Sequence, residues 1–165
     1  MNVFEFAMKM EKDGQHFYES EAAKTNNPAL KKIWLQLAGD EVKHYEIFKR
    51  FRDGDVHEAK AMSELGTQIL ATAKTVFEQL PKTGNDFNFG DDVIAAWTKA
   101  QHLETETEKF YREKSGEEKL PEIKRAFSLL ADEEHKHVVL IEHVLEFLHQ
   151  PKSWLDDAEW SNIAH

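Results

Sequence analysis

A gapless internal repeat constrains this chain more than any other feature. Shifting the N-terminal segment by 93 positions lays Glu11 on Glu104, Tyr18 on Tyr111, Pro28 on Pro121, Glu41 on Glu134 and His44 on His137. Residues 3–50 and 96–143 align with 11 identities in 48 pairs, and several of those identities are ionisable. Duplicating a fold requires repeating its apolar stripe. It does not require repeating a Glu and a Glu-x-x-His. Metal ligation would supply that requirement.

Helical periodicity gives five stretches. The first runs from about Asn2 to Lys24 and carries Phe4, Ala7, Glu11, Gly14, Tyr18 and Ala22 at helical spacing. Asn26, Asn27 and Pro28 end it and start the second, with Asn27 as N-cap and Pro28 in the first turn. The second continues to about Arg52 and stops at Asp53–Gly54. A third, Ala59 to Leu80, holds Met62, Leu65, Ile69, Leu70, Ala73 and Phe77, and belongs to neither repeat. Pro81 to Gly90 reads as a loop. Asp91 or Asp92 is expected to cap the fourth helix, which should reach about Lys114 before Ser115–Gly116 breaks it. Pro121 opens the fifth, expected to end near Gln150.

Each repeat is thus a helical hairpin too small to bury its own stripe. Two of them, joined by one long crossover, predict an all-α, antiparallel four-helix bundle of the ferritin-like kind with internal two-fold symmetry. The bundle is expected over 1–150, with the extra helix in the crossover and residues 151–165 as a tail bearing Trp154 and Trp160. A chain of 165 residues suffices for one such core.

The repeated residues fall on the buried stripes. Ala7, Glu11, Gly14 and Tyr18 share a face of the first helix; Trp97, Ala100, Glu104, Thr107 and Tyr111 share one of the fourth. Trp34, Leu37, Glu41, His44 and Phe48 line the second, and Phe127, Leu130, Glu134, His137 and Ile141 line the fifth. Four carboxylates and two imidazoles therefore point into one core, where uncompensated charge is costly and carboxylates repel each other. Two divalent cations cancel four Glu anions, with both His neutral. That balance predicts a dinuclear site. In each Glu-x-x-His the two side chains lie one turn apart, so one helix offers a bridging carboxylate and a terminal imidazole. The oxygen-rich donor set suits Fe(II) or Mn(II) better than four-coordinate zinc. Tyr18 and Tyr111, two turns from Glu11 and Glu104, are placed to hydrogen-bond ligating carboxylates across the bundle.

A third instance, Glu146-x-x-His149, has no repeat partner and reads as a solvated helix end. His16, His57, His102, His135, His143 and His165 have no repeated His partner and read as surface residues. Met8, Met10 and Met62 read as gap-fillers, and Trp34, Trp97 and Phe127 as core.

The strings Met-Glu-Lys-Asp-Gly-Gln-His-Phe-Tyr18 and Leu-Ala-Gly-Asp-Glu-Val-Lys-His44 resemble the first half of rubrerythrin and its relatives. Leu-Glu-Thr-Glu-Thr-Glu-Lys-Phe-Tyr111 and Leu-Ala-Asp-Glu-Glu-His-Lys-His137 resemble the second half, so the resemblance spans about 3–148. It implies a di-iron carboxylate protein with Glu11, Glu41, His44, Glu104, Glu134 and His137 as ligands, Glu41 and Glu134 bridging, and two iron ions bound; manganese or a mixed pair is the alternative. It implies reduction of hydrogen peroxide or dioxygen, with ferroxidase or iron handling, or a non-enzymatic iron or oxygen sensor, as alternatives. Two departures stand out. Rubrerythrin proper carries a four-cysteine rubredoxin iron site, and this sequence has no Cys, so a separate electron-donor protein is expected. Rubrerythrins also place an additional Glu one turn after the third-helix ligand, where it exchanges with a His as the iron changes redox state. Here that position is Thr107, flanked by Glu106 and Glu108, which read as solvated.

The formal charge of −10 leaves no basic patch for nucleic acid or an anionic membrane. No window of 18 apolar residues occurs, and Met1–Lys12 carries Glu5 and Glu11 where a signal peptide needs an apolar run. With no Cys, these features lead us to expect a cytoplasmic protein, pairing as a homodimer.

Overall fold

Capping and turn chemistry set the helix ends. In the computed structural model, which describes residues 2–55, 69–80 and 89–151, α1 spans Val3–Lys24 and α2 spans Pro28–Arg52. Asn2 Oδ1 caps α1 by accepting from Glu5 N at 2.8 Å. Asn27 Oδ1 accepts from Ala29 N at 3.0 Å and Leu30 N at 3.1 Å, with Pro28 opening α2 where an N–H would have no partner. After α2, Gly54 adopts φ +93°, and Asp55 N and Gly54 N bond back to Arg50 O and Phe51 O at 2.9 and 3.1 Å. Only glycine takes that left-handed turn without strain, and the pair of bonds satisfies carbonyls the helix leaves open.

In the crossover, the short helix α3, Ile69–Glu78, packs against α2 and the last helix. Its expected start at Ala59, with Met62 and Leu65, lies outside the described residues. So do most of the loop from Pro81 and the tail from Lys152. Helix α4 spans Asp91–Glu117 and α5 spans Pro121–His149. Two expectations are corrected here. Gly90, not Asp91 or Asp92, is the N-cap of α4, and it makes no side-chain cap bond. The two aspartates sit in the first turn, where negative charge meets the positive end of the helix dipole. Nor does Ser115–Gly116 stop α4, which continues to Glu117. A glycine costs a helix only about 1 kcal/mol, and the Ser115 hydroxyl donates to Lys124 O on α5 at 2.9 Å, tying this turn down.

α1 packs along α2 and α4 along α5, making two hairpins that close on each other. Their shared interior divides into two apolar clusters. One, at the α3 end, is built around Trp34, Trp97, Tyr18, Leu37, Ile141 and Phe147, and Phe77 of α3 meets Phe147 edge-on at 5.2 Å. The other gathers Ala7, Phe48, Phe51, Tyr111, Phe127 and Leu130. The two-fold shows in the ring pairs: Trp34 stacks on Trp97 at 3.6 Å, and their repeat equivalents Phe127 and Phe4 stack at 6.2 Å. Among the described residues all regular structure is helical, and no helix is long and apolar enough to cross a membrane.

Candidate metal centre

Between the apolar clusters lies a layer of ionisable side chains. Glu11 and Glu134 are 0% exposed, Glu41 and Glu104 3%, His44 2% and His137 0%. All six sequence-predicted residues are brought together here. Glu11, Glu41, His44 and Glu134 offer donor atoms within 4.8 Å of one another, as do Glu41, Glu104, Glu134 and His137. Each group could hold one metal ion. Glu41 and Glu134 belong to both groups; Glu11 and His44 belong to one, and Glu104 and His137 to the other.

Two tyrosines tie the hairpins together. Tyr18 donates to Glu104 Oε1, and Tyr111 donates to Glu11 Oε1. These bonds are images of each other under the 93-residue shift. Each leaves the second oxygen of its carboxylate buried and without a hydrogen bond. His44 Nδ1 lies 2.9 Å from Glu134 and 3.5 Å from Glu11. His137 Nδ1 lies 3.3 Å from Glu104 and 3.5 Å from Glu41 and Glu134. Glu11 Oε2, Glu41 Oε1, Glu104 Oε2 and Glu134 Oε2 are buried and have no hydrogen-bond partner. One orphan oxygen on every glutamate is a costly arrangement for a closed core. It is a suitable one for a cation pair, so the donor set fits two divalent ions.

The metal-free electrostatics point the same way. Burial, then repulsion from Glu11, Glu134 and Glu104, holds Glu41 well above the usual carboxylate range. Burial and the charges of Glu104 and Glu11 do the same to Glu134. For Glu104 burial pushes upward, but the His137 charge and hydrogen bonds including that of Tyr18 outweigh it and bring the group to about 2. Glu11 is likewise lowered, its burial outweighed by His44 and by hydrogen bonds including that of Tyr111. Burial pulls His44 down, yet Glu11 and Glu134 raise it to about 10; Glu104, Asp40 and Glu134 raise His137 despite its burial. Both tyrosines are pushed up by burial and by adjacent carboxylates, so they remain neutral donors. Without metal, Glu41, Glu134 and both imidazoles are the groups that favour protons, and Glu11 and Glu104 the ones that favour ionisation. Bound cations would displace those protons.

Around this layer lie residues that helical-wheel reasoning placed differently or passed over. Asp40 is 1% exposed, and His137 Nε2 donates to its Oδ2 at 3.0 Å. One residue before Glu41, it sits about 100° off the buried stripe, so periodicity assigns it to the flank. The repeat register held the missed signal, because Asp40 aligns with Glu133, also acidic and also buried. Gly14 lines the site because a Cβ there would stand 3.1 Å from Glu41 Oε2. Its repeat equivalent Thr107 is half-buried and turns its hydroxyl back to Leu103 O at 2.8 Å. Glu106 is exposed; Glu108, expected in solvent, is instead half-covered and paired with Arg112 and His135 at 2.9 and 3.0 Å. His143 is also half-buried rather than on the surface. His16, His102, His135, Glu146 and His149 are exposed, while His57 and His165 lie outside the described residues.

Compared with known proteins, residues 2–82 match the family model of rubrerythrin. That stretch carries Glu11, Tyr18, Glu41 and His44. Glu104, Tyr111, Glu134 and His137 connect to it through the internal repeat. No curated protein and no solved structure matches the chain.

Proposed function

Starting from a rubrerythrin-like helical protein with a buried acidic and histidine cluster, we propose a non-haem di-iron redox protein that reduces hydrogen peroxide, or dioxygen, with electrons from an external donor. In this reading Glu11 and His44 would hold one ion and Glu104 and His137 the other, with Glu41 and Glu134 shared between the two groups. Tyr18 and Tyr111 fix the terminal carboxylates. Bound iron would supply Lewis acidity and two electrons for breaking an O–O bond. Manganese or a mixed pair is the alternative occupancy.

The observation that carries the reading is the set of four unpartnered carboxylate oxygens facing two imidazoles in a closed core. The apolar clusters on either side keep bulk water from the layer, which strengthens every charge interaction within it. The sequence contains no Cys, so the electrons come from a donor whose redox centre is not built from thiolates of these residues. We place the protein in the cytoplasm as a homodimer.

Anaerobically loaded protein mixed rapidly with hydrogen peroxide, and separately with dioxygen, tests the function. The proposal expects oxidation of two irons per peroxide and repeated turnover once a reductant is supplied. Accumulation of iron well beyond two ions per chain favours iron handling instead. Stable, reversible iron binding with neither behaviour favours a sensor.

A further inference from the structure

The shift that lays Glu41 on Glu134 also lays Asp40 on Glu133, so an acid precedes each Glu-x-x-His. Both are buried, yet they behave differently. Asp40 reaches across the bundle and accepts from His137 Nε2 at 3.0 Å. This leaves His137 Nδ1 directed at Glu104, Glu41 and Glu134. Glu133, one methylene longer, stays on its own helix. Its Oε1 accepts from Lys136 Nζ at 2.9 Å, and its Oε2 is buried without a partner. The contacts of His44 run through Nδ1 to Glu134 and Glu11, and Glu133 does not reach its ring.

A carboxylate on the far nitrogen of an imidazole fixes the tautomer, locks the ring and raises its basicity as a ligand. Losing such a partner costs about 10–100-fold in metal affinity. The repeat alone would make the two ion positions equivalent. We propose that Asp40 is a positioning residue that makes them unequal. The ion held by His137, Glu104, Glu41 and Glu134 binds first and tightly, and the ion on His44 and Glu11 binds second and more weakly. This inference rests on the dinuclear reading above.

Anaerobic titration of the metal-free, full-length protein with Mn(II), followed by electron paramagnetic resonance of free ion, is the test. Wild type should fill two sites in steps separated by about 10–100-fold. Asp40→Asn should weaken the tight step by that factor and leave the weak one in place, and Glu133→Gln should change neither. In Co(II)-loaded wild type, one hyperfine-shifted, solvent-exchangeable imidazole N–H should be sharp and slow to exchange. It should broaden or vanish in Asp40→Asn. A merely structural Asp40 would weaken both steps together. That result overturns the proposal, as does an unchanged tight step. Two equal steps in wild type, or two equally exchanging N–H signals, overturn it without any variant. Wild type that binds no Mn(II) at all overturns the dinuclear reading instead, and this inference with it.

Discussion

Positions 14 and 107 occupy the same place in the two repeats, and at Gly14 the neighbours explain why the residue is small. At Gly14 an added methyl would crowd Glu41 Oε2 at 3.1 Å, and Glu41 contributes to both four-residue groups. A glycine in the interior of α1 also costs about 1 kcal/mol of helix propensity. Gly14→Ala should therefore raise the melting temperature of the metal-free protein by about 2–4 °C. It should also weaken metal uptake by about tenfold, because Glu41 must shift by a few tenths of an ångström. Calorimetry and metal titration of the one variant check both signs. A gain in stability without a loss of affinity would mean that Glu41 has room to move.

At the scale of helices, the cross-bundle tyrosine bonds join α1 to α4 in both directions. A buried hydrogen bond to a charged group contributes about 1.5–3 kcal/mol. Tyr18→Phe and Tyr111→Phe should each lower the metal-free melting temperature by about 3–10 °C. Similar losses are expected from symmetry, and thermal melts that leave either variant at the wild-type value would count against these ties.

The elements themselves were legible in the sequence wherever periodicity and capping agreed. Asn27–Pro28 and Asp53–Gly54 bound α2 because their cap chemistry is local. The ends of α4 misled because a helix can start on an uncapped Gly90, and because a tertiary bond from Ser115 outweighs two weak helix formers. At the site, the repeat exposed Glu11, Glu41, His44 and their copies as one stripe. Asp40 escaped since its partner is on another helix and its own position lies off that stripe. Glu108 was misplaced for a similar reason: His135, which pairs with it at 3.0 Å, is on α5. Single-helix patterns carry no information about such contacts.

For the whole molecule, the metal layer couples folding to pH. Glu41, Glu134, His44 and His137 all have folded-state proton affinities above their ordinary values. Each raised group binds more protons folded than unfolded, so its contribution is lost as pH rises through its folded value. For His44 that contribution is complete below about pH 6.5 and gone above about pH 10. The two raised glutamates begin to lose theirs above about pH 4.5. Glu104 and Glu11 act oppositely: their contribution is present above about pH 4.5 and lost as pH falls, for Glu104 toward about 2. Metal-free protein should therefore melt higher at pH 5.5 than at pH 8, while the loaded protein should reverse that order because ligands must shed protons to bind. Loading near pH 6 should release protons, because groups that favour protons in the metal-free layer must shed them to ligate. Melting curves with and without metal, and a pH-stat, read both quantities. An equal gap between loaded and metal-free midpoints at the two pH values would contradict the coupling.

The expectations for metal uptake depend on two ions being held jointly by the six buried side chains. Metal analysis of anaerobically loaded wild type and of Glu41→Ala/Glu134→Ala, with helix content verified by circular dichroism, measures that most directly. The account predicts about two tightly bound irons per chain in wild type and almost none in the folded double variant, because both shared carboxylates are gone. A folded double variant that still retains two tightly bound irons would contradict it.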